Sequence, residues 1–416
     1  MDNEFHLQSR SRLQDYEPIV GRSSLEELRV LAGGLSGKII QNINSTFVGG
    51  GVSEILEHMV PLLNQLGLDA RWNVMHGNEE FFEVTKKIHN ALHGDNSNGI
   101  TAKDLALFAE TTQQNLDEMR FYGDILFIHD PQPVALIAKK KEIGRKWIWR
   151  CHIDVSTPDK KVWDFLRGFI VDYDAAIFSA PNFAQELPIR QFLITPSIDP
   201  LSDKNRELDS ETINSVLVKY GLTSDKPMIA QISRFDRLKD PLGVIEAFEM
   251  VRKGIDCQLV LAGGTATDDP ESEEVLEEVR KRAEGNVDIH ILQVPPESDI
   301  EINALQRAAT IILQKSLKEG FGLTISEALW KSKPVIASAV GGIPMQIRNK
   351  FTGLLCYTVE GAAYAIRQLL SNPQYASWLG QNGKEHVRQN FLITSHLKDY
   401  LLLFLSLDQS SDVIRV

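Results

Sequence analysis

The chain has 416 residues, of which 43% are hydrophobic and 24% charged, the composition of a soluble globular protein that is too long for one ordinary core. Its net charge of −12 argues against a nucleic-acid partner, because binding to a phosphate backbone favours a basic surface. No apolar run approaches the roughly 20 residues that cross a bilayer, and the N-terminus lacks a signal-peptide core. Three cysteines in apolar, strand-like surroundings suit a reducing compartment. We therefore expect a cytoplasmic protein without a membrane partner.

Strand-like and helical segments alternate through the first half of the chain. The strands are short apolar runs, and apolar residues recur at helical spacing at 52–66 and 81–92. Nearly continuous apolar strands joined by helices are typical of a parallel sheet covered on both faces. The predicted strands of this half are 39–44, 70–74, 125–128, 146–151, 175–178 and 191–194.

The alternation begins again after a polar, proline-containing stretch at 195–210. We predict an α/β protein with two Rossmann-like domains that face a cleft, and ligands bound at the carboxyl ends of the strands. The predicted strands of the second half are 228–232, 258–262, 287–291, 310–313 and 334–337, each followed by a helix.

A glycine-rich segment joins the first strand to the helix at 52–66. Gly49, Gly50 and Gly51 allow the backbone to approach a ligand closely, and the following helix N-terminus attracts anions. The spacing is neither Gly-x-Gly-x-x-Gly nor that of a Walker loop. A tight turn without a ligand is the alternative.

Two cations, Arg234 and Lys239, follow the first strand of the second half. A planar guanidinium and a compact ammonium together suit a diphosphate, and an acidic protein needs such a local cluster to bind one. The alternative is a charged loop in solvent, since most clusters of charge lie on surfaces.

Two glutamates flank a glycine turn in the segment KEGFGLTISEAL at 318–329. The helix that begins near Leu323 offers unpaired N–H groups to a phosphate, which the carboxylates of Glu319 and Glu327 would repel. Carboxylates accept hydrogen bonds from sugar diols, so we expect Glu319 to bind a sugar and Glu327 a ribose. Stabilisation of the helix dipole is the alternative for Glu327 alone, but it does not explain the pair.

Polar residues end two apolar strands of the first half. His129 and Asp130 follow one strand, and His152 and Asp154 follow the next, where a doubly wound fold places its active site. A lone histidine is more often structural, but two His/Asp pairs at adjacent strand ends favour a site.

Together these residues resemble the retaining glycosyltransferases of the GT-B fold, in the large family that includes glycogen and sucrose synthases. The resemblance spans essentially the whole chain, and its specific part is the Glu-x7-Glu pair with Arg234 and Lys239. Within that family the chain is most similar to trehalose-forming synthases and retaining trehalose phosphorylases. The segments that carry this likeness are INSTFVGGGVSEIL (43–56), FFEVTKKIHNALHG (81–94), HDPQP (129–133), WRCHIDVS (149–156) and PSIDPLSDKN (196–205).

The resemblance implies a role for each candidate residue, with Arg234, Lys239, Glu319 and His152 as the catalytic set. The expected ligands of the nucleotide and diphosphate are Gly50, Gly51, Arg234, Lys239, Leu323, Thr324 and Glu327. The expected ligands of the donor glucose are His152, Glu319, Gly320, Phe321 and Gly322, and those of the acceptor are Asp130 and Asp154.

The activity implied is transfer of glucose from ADP-glucose or UDP-glucose to free glucose, giving α,α-trehalose with retention of configuration. A trehalose phosphorylase, another GT-B nucleotide-sugar glycosyltransferase, or a catalytically silent sugar-binding protein are the alternatives. No obligatory cofactor and no metal site are expected, with Mg²⁺ at most a stimulant of activity, and the enzyme is expected to be a homodimer. An acceptor domain would span 1–200 and be completed by a terminal helix at about 385–416, and a nucleotide-sugar domain would span 201–384.

Overall fold

The computed structural model of the protein describes residues 11–47, 51–94, 99–264, 270–295 and 297–409. The strands are β1 Ile39–Asn44, β2 Asp69–Val74, β3 Ile125–His129, β4 Lys146–Arg150, β5 Ala175–Phe178, β6 Arg190–Leu193, β7 Met228–Ile232, β8 Gln258–Gly263, β9 Ile289–Gln293, β10 Ile311–Gln314, β11 Val335–Ser338 and β12 Leu354–Cys356. The α-helices are α1 Glu17–Val20, α2 Arg22–Gly33, α3 Gly51–Gln65, α4 Glu79–Leu92, α5 Ala102–Glu118, α6 Lys140–Ile143, α7 Lys160–Ile170, α8 Ser210–Lys219, α9 Pro241–Arg252, α10 Pro270–Ala283, α11 Asp299–Ala308, α12 Leu323–Trp330, α13 Ile343–Gln346, α14 Val359–Leu370, α15 Pro373–Asn390 and α16 Ile393–Asp408.

The chain divides into two compact units. Unit 1 comprises Met1–Ser197 and Ile393–Val416, and unit 2 comprises Ile198–Leu392. The chain therefore leaves unit 1 once and returns to it through α16. The boundaries predicted from the sequence were 200/201 and about 384/385. The second of these would divide α15, which in the structure lies entirely within unit 2.

Unit 1 is built on a six-stranded parallel sheet in the order β2-β1-β3-β4-β5-β6. All residues of β3 and β5 are buried, as expected for strands covered on both faces. Helix α16 covers part of one face, where Tyr400 and Phe404 meet Phe127 of β3 edge to face, with ring centroids 5.0 and 5.7 Å apart. The carboxyl ends of β1, β3 and β4 consequently lie side by side near α16.

Unit 2 contains a second six-stranded parallel sheet in the order β12-β11-β10-β7-β8-β9. A buried apolar cluster that includes Ile229, Phe248 and Leu313 joins the sheet to its helices. Strands β7 and β10 are neighbours, although about 80 residues separate them in the sequence. The segments that follow these two strands, 233–240 and 315–322, are therefore brought to the same edge of the sheet.

The predicted α/β architecture is confirmed. All eleven predicted strands are present, with ends within two residues of those expected, and both sheets are parallel. Strand β12 was not predicted because Leu354–Cys356 is too short to show a periodic pattern. The three cysteines are free and buried, as their apolar surroundings indicated. Within the described ranges, no helix is both long enough and apolar enough to cross a membrane.

Candidate active site

A group of polar side chains, here called the unit 1 group (Asn42, His129, Asp130 and His152), lies in β1 and at the ends of β3 and β4. His129 Nε2 lies 3.2 Å from Asn42 Oδ1, and His129 Nδ1 lies 3.3 Å from His152 Nε2. The Asn42 amide donates to the carbonyl oxygen of Arg71 at 3.1 Å, which turns its oxygen towards His129. His129 then carries its proton on Nε2 and accepts from His152 Nε2, so His152 Nδ1 is an acceptor.

Burial keeps both histidines neutral. It lowers the pKa of His129 to about 3 and that of His152 well below the usual value, and the positive charge of Arg150 adds to the effect. A neutral His152 with an acceptor nitrogen suits a hydrogen bond from a sugar hydroxyl better than it suits an anion.

Asp130 is held next to His152 in a left-handed conformation, with φ of 68°. Its backbone N–H donates to the Arg150 carbonyl at 2.7 Å, and its Oδ1 accepts from the His152 backbone N–H at 2.8 Å. Burial raises the pKa of the Asp130 carboxyl to about 7, although the side chain is partly accessible. A strained non-glycine residue with a raised pKa at a strand end is typical of a functional position.

Asp154 and Gly51, which were also expected to bind ligands in unit 1, take part in local structure. The Asp154 carboxylate is 3% exposed and accepts from the Ser156 backbone N–H at 2.9 Å, closing a local turn. Gly51 is the first residue of α3, whereas Gly50 lies outside the described residues.

Lys239 and Glu319 form an ion pair in what we call the unit 2 group (Arg234, Lys239, Glu319 and the turn 320–322). Lys239 Nζ lies 2.6 Å from Glu319 Oε2, with side chains 19% and 10% exposed. Ser316 Oγ donates to the same carboxylate oxygen at 3.2 Å. The Lys239 carbonyl accepts from Gln231 Nε2 at 2.8 Å, which ties the lysine backbone to β7. Lys239, predicted to bind a diphosphate, and Glu319, predicted to bind a sugar, are thus adjacent.

Arg234 differs from its neighbour Arg237 in its contacts. The Arg234 side chain is 54% exposed, and its Nη2 lies 3.7 Å from Asp236 Oδ2, a loose contact. Arg237 makes two bonds of 2.9 Å to Glu278 and also pairs with Glu274. Arg237 therefore fits the alternative of a charged surface loop, because its guanidinium is held by surface ion pairs. Arg234 has an exposed guanidinium with one loose contact and lies five residues before Lys239 in the sequence.

The Gly320-Phe321-Gly322 turn brings Glu319 to the start of α12. Gly322 has φ of 84°, and a Cβ there would lie 3.2 Å from Glu319 Cγ, so a larger residue would be strained and would press on the carboxylate side chain. Phe321 is 5% exposed, which anchors the turn. Helix α12 begins at Leu323 and Thr324 with no side-chain cap, the arrangement expected of an anion-binding helix start.

Glu327 lies one turn into α12 and is more enclosed than Glu319. It is 3% exposed, and its Oε2 accepts from Gln306 Nε2 at 3.0 Å. The buried hydrogen bond orients this carboxylate and does not by itself stabilise the helix start.

The structure adds two residues that the sequence did not single out. Asp240, directly after Lys239, adopts φ of 48° and forms an ion pair with Lys315, which is 9% exposed. The only local signal was an aspartate before Pro241, which is typical of a helix cap.

In the described part of the chain, no group of three or more His, Cys, Asp or Glu residues could hold a metal ion.

Comparison with known proteins gives matches over both units. Residues 42–185 match the family described as "Trehalose synthase, N-terminal domain", and residues 214–386 match "Glycosyl transferases group 1". A curated trehalose synthase from Rubrobacter xylanophilus is 44% identical, over 95% of this chain and 97% of its own length. A trehalose phosphorylase from Grifola frondosa is 30% identical over 86% of this chain, but over only 55% of its own length.

Solved structures give the same fold at low sequence identity. The sucrose-phosphate synthase from Thermosynechococcus elongatus superposes with a TM-score of 0.70, at 18% identity, over 90% of this chain and 100% of that chain. At this identity the likeness shows the fold alone, which is GT-B.

Proposed function

This chain belongs to the trehalose synthase family of glycosyltransferases, and from that premise we propose that it transfers glucose from a nucleoside-diphosphate glucose to free glucose, forming α,α-trehalose. The observation that carries the proposal is the Lys239–Glu319 pair at 2.6 Å beside the start of α12. A cation, a carboxylate and a helix N-terminus together match the phosphate and the sugar of such a donor.

In this proposal the unit 2 group binds the donor. Lys239 and the exposed Arg234 meet the diphosphate, whose charge grows as the bond to glucose breaks, and the N–H groups of Leu323 and Thr324 assist. Glu319, released in part from Lys239, accepts hydrogen bonds from the donor glucose, held by the Gly320-Phe321-Gly322 turn. Glu327 accepts from the ribose hydroxyls.

The unit 1 group would orient the sugars. His152, neutral and fixed through His129, accepts a hydrogen bond from a hydroxyl of the donor glucose. Asp130, fixed by the His152 backbone N–H at 2.8 Å, binds the acceptor glucose. We assign retention to same-face substitution, in which the leaving phosphate receives the acceptor proton. Asp154 remains proposed for the acceptor, and Gly50 and Gly51 for the diphosphate.

The remaining properties are proposed from the family resemblance. We expect the donor to be ADP-glucose or UDP-glucose, with no obligatory cofactor and at most a stimulation by Mg²⁺. We also propose a cytoplasmic homodimer, and three buried free thiols agree with a reducing compartment. Activity after EDTA treatment and the mass in solution by light scattering test the cofactor and dimer proposals.

The direct test supplies ADP-glucose or UDP-glucose together with glucose labelled with ¹³C at C1. We expect a non-reducing disaccharide whose NMR spectrum shows a 1,1 linkage with both anomeric carbons in the α configuration. Arg234→Ala should lower its formation, whereas Arg237→Ala, a matched arginine of the same loop with surface ion pairs, should not. Absence of any disaccharide with either donor would refute the proposal.

The phosphorylase alternative is favoured by the similarity to the Grifola frondosa enzyme. It predicts that trehalose and inorganic phosphate yield glucose 1-phosphate at a rate that nucleotides do not change. Trehalose cleavage that depends on a nucleoside diphosphate and ignores phosphate would instead support the synthase.

A further inference from the structure

Arg150 is an unusual residue at the end of β4, because its charged side chain is fully buried. Its exposure is 0%, and its Nη2 donates to Ser179 Oγ at 3.1 Å. Its Nε and Nη1 have no hydrogen-bond partner among the described residues. Arginine is almost never fully buried without a partner, since an uncompensated buried charge costs several kcal/mol.

Two side chains of α16 present further unpartnered polar atoms in the same interior. Tyr400 is 0% exposed and its hydroxyl has no partner, and His396 is 3% exposed and its Nε2 has none. The two rings lie 4.3 Å apart, and Tyr400 also packs against Phe127 of β3. Ser197 Oγ lies 2.7 Å from His396 Nδ1. With the serine as donor, His396 carries its proton on Nε2 and becomes a donor as well.

Of the groups that interact electrostatically with Arg150, the Asp130 carboxyl is the acid that ionises near neutral pH. Burial lowers the pKa of His396 well below its usual value, and the positive charge of Arg150 adds to this, so the histidine is neutral. Burial raises the pKa of Tyr400, so its hydroxyl keeps its proton. Arg150 pairs in register with His129, which lies on the same face of β3 as Phe127, so Arg150 lies on the face of the sheet that Tyr400 covers. Burial raises the pKa of the Asp130 carboxyl to about 7, so below that pH this carboxyl is neutral and leaves the guanidinium without a compensating negative charge. The interior of unit 1 therefore contains the positive charge of Arg150 and several hydrogen-bond donors without a partner among the described residues.

We propose that a small monovalent anion such as chloride binds inside unit 1, between Arg150, Tyr400 and His396. It would accept hydrogen bonds from Arg150 Nε and Nη1, from the Tyr400 hydroxyl and from His396 Nε2. Water could satisfy the same donors, but an anion also supplies a negative charge to the guanidinium while Asp130 is protonated. Because the donors come from β4 and α16, the anion would link helix α16 to the sheet of unit 1. This inference does not depend on the proposed activity.

The first test measures thermal unfolding in chloride and in gluconate at constant ionic strength, since gluconate is too large for an enclosed site. Above the dissociation constant, each tenfold increase of chloride should raise the melting temperature of unit 1 by roughly 3–5 °C, whereas gluconate should not. Tyr400→Phe should weaken the chloride dependence and Arg150→Met should abolish it. Tyr173→Phe is the matched control, because this buried tyrosine of unit 1 donates to the Val134 carbonyl at 2.7 Å and lies outside the cluster.

The second test uses the wild-type protein and is independent of how the variants fold. Crystals grown in bromide should give an anomalous-scattering peak within hydrogen-bond distance of Arg150. A map that shows only water there would overturn the proposal. So would equal melting temperatures in chloride and gluconate, because a bromide peak without a chloride effect would mean binding at crystal concentration only.

Discussion

Lys315 holds Asp240 in a conformation that few residues other than glycine adopt, directly beside Lys239. The Asp240 backbone has φ of 48° and ψ of 53°, and its Oδ1 accepts from the Gly243 N–H at 3.1 Å to cap α9. The ion pair with Lys315 is well enclosed, since the lysine side chain is 9% exposed and the aspartate 19%. We expect this pair to position Lys239.

The structure sets the size of the effect. Removing one partner of a buried ion pair costs about 3–5 kcal/mol, and because these side chains are slightly exposed we expect about 2–3 kcal/mol for Lys315→Met. Asp240→Gly alone leaves Lys315 unpaired and should cost a similar amount. The double variant has no unpaired charge, its glycine adopts the left-handed conformation freely, and loss of the cap to glycine costs only a few tenths of a kcal/mol. The two changes should therefore be coupled by about 2 kcal/mol.

Urea unfolding and initial rates of trehalose formation on all four proteins of this double-mutant cycle test the reasoning. A shift of about 1 Å in a catalytic group can cost on the order of 100-fold in rate, so Lys315→Met should lower kcat by about 10- to 100-fold. The double variant should recover most of that loss in both stability and kcat. Losses that simply add in the double variant, or an unchanged kcat in Lys315→Met, would refute the positioning role.

Three further perturbations have expected outcomes. Lys239→Ala should lower kcat by about 10²–10³-fold in stopped assays, since it removes a charge that stabilises the leaving diphosphate; an unchanged kcat would remove the lysine from the mechanism. Glu327→Gln should raise the donor KM with little change in kcat, and the reverse pattern in steady-state kinetics would contradict ribose binding. The pKa of about 7 for Asp130 means that its carboxyl is neutral below that pH, so kcat/KM for glucose should rise through pH 7, and Asp130→Asn should remove this step. The folded state holds this proton more tightly than the unfolded chain does. The free energy of unfolding should therefore fall as the pH rises from about 4 to 7 in the wild type, and fall less steeply in Asp130→Asn.

Most of the fold could be predicted from the local pattern of the sequence. Apolar runs and helical spacing located eleven strands, because these periodicities are local properties of the chain and most of these strands are largely buried. The same logic placed His129, His152, Arg234 and Glu319 at strand ends, where parallel sheets gather their functional side chains. Strand β12 was missed because three residues are too few for a pattern.

What the sequence by itself determined was therefore the order of elements, the two parallel sheets and which residues end the strands. Only the tertiary structure decided which of those residues meet. Lys239 pairs with Glu319 across 80 positions and Asp240 with Lys315 across 75, because the chain passes through other strands before β10 returns beside β7. Arg150 is fully buried in unit 1, where α16 packs over a sheet whose strand β6 ends about 200 residues earlier. Such contacts depend on where the chain comes back in space, which no local spacing of residues records.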